Sequence, residues 1–164
     1  MGERMSEQKR KNLVILRIRG TVAINKELEY TFKLLHLNRP NHATIIERSA
    51  SYLGMIQKIK DYATWGEASS DTISHLLRKR CLLVGNQKLS DDYVKENFGY
   101  DSINGLAEAI AMSTVNFREL PNIKPIFRLR PPKGGFRKHK KKPYPEGELG
   151  YRGEDINQLL KKMI

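Results

Sequence analysis

Between Leu13 and Glu67 the apolar residues switch back and forth between two spacings, and this alternation limits the possible fold more than any other feature of the chain. In LVILRIR, residues 13–19, Val14, Leu16 and Ile18 point one way, while Arg17 and Arg19 share the other side with Leu13 and Ile15. That is the two-residue period of a strand, apolar towards a core and basic at one end of its outer face. Gly20 closes it. Asn25 is placed to cap a helix reaching about His36, with Glu27 and Glu29 near its electropositive start and Leu28, Phe32 and Leu35 as a buried stripe. HATIIE, residues 42–47, has the β-branched content of a second strand. Ser49 opens another helix, on which Tyr52, Met55, Ile56 and Ile59 recur at i, i+3, i+4 and i+7. DYATWGE, residues 61–67, reads as a short third strand. A β-α-β-α-β order in so short a stretch predicts an α+β core: a small antiparallel sheet with two helices on one face and the other face free.

Beyond residue 68 the pattern becomes helical. Ile73, Leu76 and Leu77 mark a short helix ending in the basic run Arg78, Lys79, Arg80. Ser90, Asp91 and Asp92 read as an N-cap and first turn with Gly99 as the stop, and Ser102 opens a helix with Ile103, Leu106, Ala107 and Ile110 inward. KPIFRLR, residues 124–130, reads as a strand or extended segment, and Ile156, Leu159, Leu160 and Met163 form one side of a final amphipathic helix. The expected organisation is a polar N-terminal segment at 1–12, an α/β core at 13–68, a helical insertion at 69–119, and a basic arm with its terminal helix at 120–164. A chain of 164 residues suits one such unit.

The charge balance narrows the partner. The net charge is +12, an excess that repels itself in a compact state and favours a polyanion. It is concentrated: between Glu119 and Glu146 lie Lys124, Arg128, Arg130, Lys133, Arg137, Lys138, Lys140, Lys141 and Lys142, with no acid among them. Solvated charged faces ordinarily mix signs, so this tract seeks phosphates. Neutralising them releases condensed counterions and makes binding steeply salt-dependent. Pro131, Pro132, Pro143 and Pro145 restrict the chain before it docks, and Phe136 and Tyr144 are suited to stack on exposed bases.

Catalytic chemistry is weakly signalled. Asp91 and Asp92 follow Ser90 directly and read as acids complementing a helix dipole. His36, His42, His75 and His139 are scattered and lack metal-site spacing. PPKGGF, residues 131–136, lacks the G-x-x-x-x-G-K-[ST] arrangement of a nucleotide-binding loop, so Gly134 and Gly135 either admit a phosphate to the backbone or simply make a turn. Trp65 reads as a sheet-edge or core aromatic, and the lone Cys81 as a quiet semi-buried thiol. With one cysteine there is no internal disulfide and no cysteine-based zinc cluster. MGERMSEQKRKN has no apolar core like a signal peptide's, and no apolar run approaches the roughly 18–20 residues of a membrane span. A soluble cytosolic protein without metal or cofactor is expected.

Taken together, LVILRIRG, LLHLNRPNHATII, YLGMIQKIKDYATWGE, Lys79-Arg80 followed by KLSDDYV, Pro132-Lys133-Gly134-Gly135 and EGELGYRGEDINQLLKKM resemble the large-subunit ribosomal protein family numbered thirty in prokaryotes and seven in eukaryotes, in its archaeal form. The resemblance implies a ferredoxin-like layout, no enzymatic activity, and a cytoplasmic place in the large ribosomal subunit. There it implies a monomer against the large rRNA, near the small separate rRNA and neighbouring ribosomal proteins, with no membrane. It also implies RNA contacts at Arg17, Arg19, Lys79, Arg80, Arg128, Arg130, Lys133, Gly134, Gly135, Phe136, Arg137, Lys138, His139, Lys140, Lys141, Lys142 and Arg152. On this reading the tract is an arm that orders within rRNA while the folded core stays on the particle surface. Two departures stand out: Cys81 replaces the glycine usual after the Lys-Arg pair, and only RMSEQKRK remains of the basic N-terminal extension of eukaryotic members. The rival readings are an RNA-processing enzyme, a general RNA-binding protein, and a membrane-surface protein attracted by its lysines.

Overall fold

A computed structural model describes residues 12–164; the polar segment expected at the N-terminus, apart from Asn12, lies outside the described residues. Strand β1 (Leu13–Arg17) pairs antiparallel with β2 (His42–Ile46) on one side and β3 (Ala63–Gly66) on the other. The intervening helices are α1 (Lys26–Leu34) and α2 (Ala50–Lys58). Their starts are set locally: Asn25 Oδ1 accepts from the Glu27 N–H and Ser49 Oγ from the Tyr52 N–H, each satisfying an amide with no partner inside its helix. Phe32, Leu35, Leu37, Ile56 and Ile59 then close over Leu13, Ile15, Ile46, Ala63 and Trp65 as one core.

The opposite face of the sheet is not free. Helices α3 (Ser70–Arg80), α4 (Asp91–Phe98), α5 (Ile103–Ala111) and α6 (Ile156–Met163) bring Ile73, Leu76, Leu77, Leu106, Ile110, Ile156 and Leu160 into a second core with Val14, Leu16, Ala43 and Ile45. Because both faces are covered, β1 is buried along its whole length. Ser69, Ser90 and Ser102 cap α3, α4 and α5, and Gly99 ends α4 at φ 75°, a left-handed conformation that a Cβ would strain. Cys81 follows α3 at φ −75° and ψ 128°, ordinary extended backbone, so nothing at this turn requires the glycine.

The sheet also extends beyond its first three strands, in the order β4-β2-β1-β3-β6-β5. β4 (Phe127–Arg128) is a two-residue antiparallel partner of β2 at one edge. At the other edge, β6 (Gly147–Tyr151) runs parallel to β3, and β5 (His139–Pro143) lies outside it in an irregular register. Gly66 lets this joint close, since a Cβ there would overlap the Gly153 carbonyl.

Candidate nucleic-acid interface

The basic tract is laid onto the fold from both of its ends. The Arg130 N–H donates to the Met163 carbonyl at 3.1 Å and the Lys133 N–H to the Lys162 carbonyl at 3.1 Å, so the tract leaves β4 along the end of α6 with Pro132 buried beneath it. Gly134 and Gly135 both sit at positive φ in open space, and the Gly135 N–H closes a turn on the Pro132 carbonyl at 2.9 Å. The pair therefore reverses the chain. β5 follows with every residue exposed, and the Tyr144 N–H returns to the Leu149 carbonyl at 2.7 Å. Arg137, Lys138, His139, Lys140, Lys141 and Lys142 are all exposed along this edge, as are Arg130 and Lys133 where the tract crosses α6.

Beneath the exposed strand sits a neutralised one. Arg152 and Glu148 are each 6% exposed at the side chain and pair at 2.8 Å, with the Arg152 guanidinium also donating to the Glu148 carbonyl. Arg152 Nε donates to Thr64 Oγ1 at 2.8 Å, and that hydroxyl donates to the Gly150 carbonyl at 2.7 Å. Glu148 Oε1 accepts the Lys138 N–H at 3.0 Å. One buried ion pair thus joins β3, β6 and the beginning of the exposed tract, its charges satisfied by directed hydrogen bonds.

The aromatics expected to stack on bases have protein partners. Lys138 Nζ lies 4.5 Å and the Arg152 guanidinium 5.2 Å from the Tyr144 ring centre, and Lys140 Nζ lies 5.0 Å from that of Phe136, which also packs on the second core. The Tyr144 hydroxyl donates to Asp155, and that hydrogen bond holds its pKa above the ordinary phenol value. These contacts hold two ammonium groups above the strand.

The other expected contact residues separate into distinct environments. Arg17 is 1% exposed: its Nη1 donates to the Leu37 carbonyl at 2.7 Å, its Nε to the Arg19 carbonyl at 3.0 Å, and its guanidinium lies 4.0 Å from the Phe32 ring centre. Burial lowers its pKa. The side chain belongs to the core under α1 because the face read as outer is covered. Arg152 is likewise interior. Arg19 is half-buried, donating to the Asp61 carbonyl at 3.1 Å and lying over Tyr62 at 4.5 Å. Lys79 is exposed on α3, whereas Arg80 is half-buried with Nη2 on the Ile164 carbonyl at 3.2 Å. Arg128 is exposed, but on β4, at the opposite sheet edge from β5.

At that far edge His36, Asn38, Arg39, His42, Lys124 and Arg128 line a concavity of about 590 Å³. Of this group only Lys124 and Arg128 belong to the acid-free tract; His36 and His42 read as scattered histidines, and Asn38 and Arg39 in LNRPNH, residues 37–42, carried no signal of their own. Asp91, by contrast, is a structural acid: it accepts the Ile103 N–H at 2.8 Å and pairs with Arg78 at 3.5 Å. Among the described residues no group of three or more His, Cys, Asp or Glu is placed to hold a metal ion, and no helix is long and apolar enough to cross a membrane.

Comparison with known proteins follows the same outline. The family described as ribosomal protein L30p/L7e matches residues 13–63, which hold the first two strands, both of the helices that follow them and the start of β3. The chain is 45% identical over 149 residues to large ribosomal subunit protein uL30 of Archaeoglobus fulgidus, covering 91% of this chain and 97% of the relative. It is 47% identical over 150 residues to that of Methanosphaera stadtmanae, covering 92% and 98%, and 46% identical over 149 residues to that of Methanopyrus kandleri, covering 90% and 100%. These alignments run well past residue 63 and take in the helical side and the basic edge.

Proposed function

Because this chain belongs to the ribosomal protein L30p/L7e family, we propose that it binds large-subunit rRNA chiefly through the edge formed by residues 133–142. It is a structural constituent of the large subunit of the cytoplasmic ribosome, contributing to translation without being an enzyme, and it assembles there with rRNA and other ribosomal proteins. One observation carries the finer reading: β5 is exposed along its full length, carries Lys140, Lys141 and Lys142, and has Arg137 and Lys138 immediately before it. A sheet edge presenting a row of exposed ammonium groups suits a phosphate backbone. Lys79, Arg130 and Arg19 add contacts around it, while Arg17 and Arg152 support the surface from within. The protein sits there as a monomer, near the small separate rRNA and neighbouring proteins.

The test is the salt dependence of rRNA binding by the full chain. Replacing Arg137, Lys138, Lys140, Lys141 and Lys142 with Gln should flatten the slope of log affinity against log salt by about 4, since each lost phosphate contact removes about 0.7–0.9. An unchanged slope overturns the assignment.

A further inference from the structure

We infer that Glu148, an acid, is a positioning residue for RNA: its buried carboxylate fixes the start of the cationic strand, so that removing it weakens RNA binding even though the positive charge rises. The inference rests on the proposed rRNA binding by residues 133–142 and adds to it what holds that strand ready.

Charge alone argues the other way. In a chain of net charge +12, taking away an acid should tighten the hold on a polyanion. What Glu148 touches reverses that sign. Its Oε1 accepts the Lys138 N–H at 3.0 Å, just before β5, and its Oε2 pairs with Arg152 at 2.8 Å. The negative charge is thus cancelled by a neighbour enclosed with it, while the carboxylate still grips the backbone of the tract. A second acid does the same at the other end of β5, where Asp155 accepts from the Tyr144 hydroxyl. Among the described residues neither carboxylate forms an ion pair with a lysine or arginine of residues 124–142. The fold places the tract with acids and leaves its ammonium groups unneutralised.

Close packing from beneath completes the clamp. A Cβ on Gly147 would overlap the Lys142 carbonyl, so the head of β6 and the end of β5 lie in direct contact. The Tyr144 N–H returns to the Leu149 carbonyl at 2.7 Å. These contacts set the strand before any RNA arrives, which reduces the ordering cost of binding. Ordering one free residue of backbone costs on the order of tenfold in an equilibrium constant. A buried, paired charge screened over a Debye length of about 10 Å counts for less. The positioning effect therefore decides the sign.

The experiment compares two full-length proteins of identical net charge in large-subunit rRNA binding across salt: the pair Glu148→Gln with Arg152→Met, and the pair Glu148→Leu with Arg152→Met. Gln keeps an acceptor for the Lys138 N–H and Leu removes it. The Leu pair should bind on the order of tenfold more weakly than the Gln pair. The slope of log affinity against log salt should be the same in both, because the same cations reach the same phosphates once docked. Hydrogen exchange at the Lys138 amide should be slow in the native protein and the Gln pair and fast in the Leu pair. A general loss of stability would instead speed exchange throughout the fold. If the Leu pair unfolds early in urea, Gly147→Ala, which alters no charge, is measured in its place and should bind on the order of tenfold more weakly than the native protein. Equal affinities for the two pairs, tighter binding by the Leu pair, or native affinity in the Gly147→Ala protein each overturn the inference. The five-residue β5-edge variant separates this failure from that of its parent reading: if it still flattens the salt slope, the proposed rRNA edge stands without Glu148, and if it does not, both fall.

Discussion

Arg152, which follows β6, and Lys142, on the edge strand β5 outside it, put their charge to opposite uses. Arg152 is enclosed with Glu148, Thr64 and the backbone of β6, so its charge is spent inside the protein. Lys142 and the rest of β5 face solvent with no acid beside them in sequence. The contrast teaches that a cation's meaning is decided by whether the fold supplies its counter-charge. Where it does, the residue holds strands together; where it does not, the charge stays open to solvent. Arg17 repeats the first case at β1, and Arg39 with Arg128 repeats the second at β4.

The comparison breaks most sharply at Glu148. Glu148→Ala leaves Arg152 buried without its partner and should cost about 3–5 kcal/mol in urea unfolding, whereas replacing the pair together by Gln and Met should cost much less. If Glu148→Ala were as stable as the native chain, the interior assignment of Arg152 would be wrong. Next in size, the five Gln substitutions at the β5 edge should lower rRNA affinity at low salt on the order of 10²-fold, with the urea midpoint unmoved. A shifted midpoint would mean that those lysines serve the fold as well.

A third measurement reads the helical side. Cys81 is 1% exposed, and burial pushes its thiol up to about 12, so the folded protein should resist alkylation at pH 8 and react at once in urea. In the Glu148→Ala protein labelling should accelerate in step with the lost stability; prompt labelling of the native protein would place Cys81 nearer the surface. The smallest effect concerns the β4 edge. Burial and surrounding arginines hold His42 below its ordinary value, and burial together with Arg118 does the same for His36. The unfolded chain therefore binds more protons near pH 6, and stability should decline as pH falls below about 6.5. His42→Gln should remove part of that decline.

The parts of this molecule that could be read in advance are those whose causes are local. Asn25, Ser49, Ser90 and Ser102 each satisfy an amide two or three residues onward, so the caps and the helices behind them were visible in short windows. The three-strand core was legible for the same reason. What escaped depended on distant segments. Arg17 reads as outward until α1 and Leu37 are known to cover it, and the supposedly free face of the sheet is closed by helices that begin after residue 69. The last two strands escaped because their pairing depends on β3, far back in the chain: a run of lysines carries no strand periodicity of its own. The exposed edge itself was legible from its missing acids; its division between two ends of a sheet was not.

The parallel joint between β3 and β6 places Thr64 beside Gly150, a separation of 86 positions along the polypeptide. A chain emerging from the machinery that makes it can assemble Leu13 through Gly66 early, but has nothing to lay against that joint until more than eighty further residues have appeared. Loops so long close slowly, and through that interval the outer side of β3 stands without its parallel partner. The cationic edge can therefore take its place only late in synthesis, after the strands it is laid against.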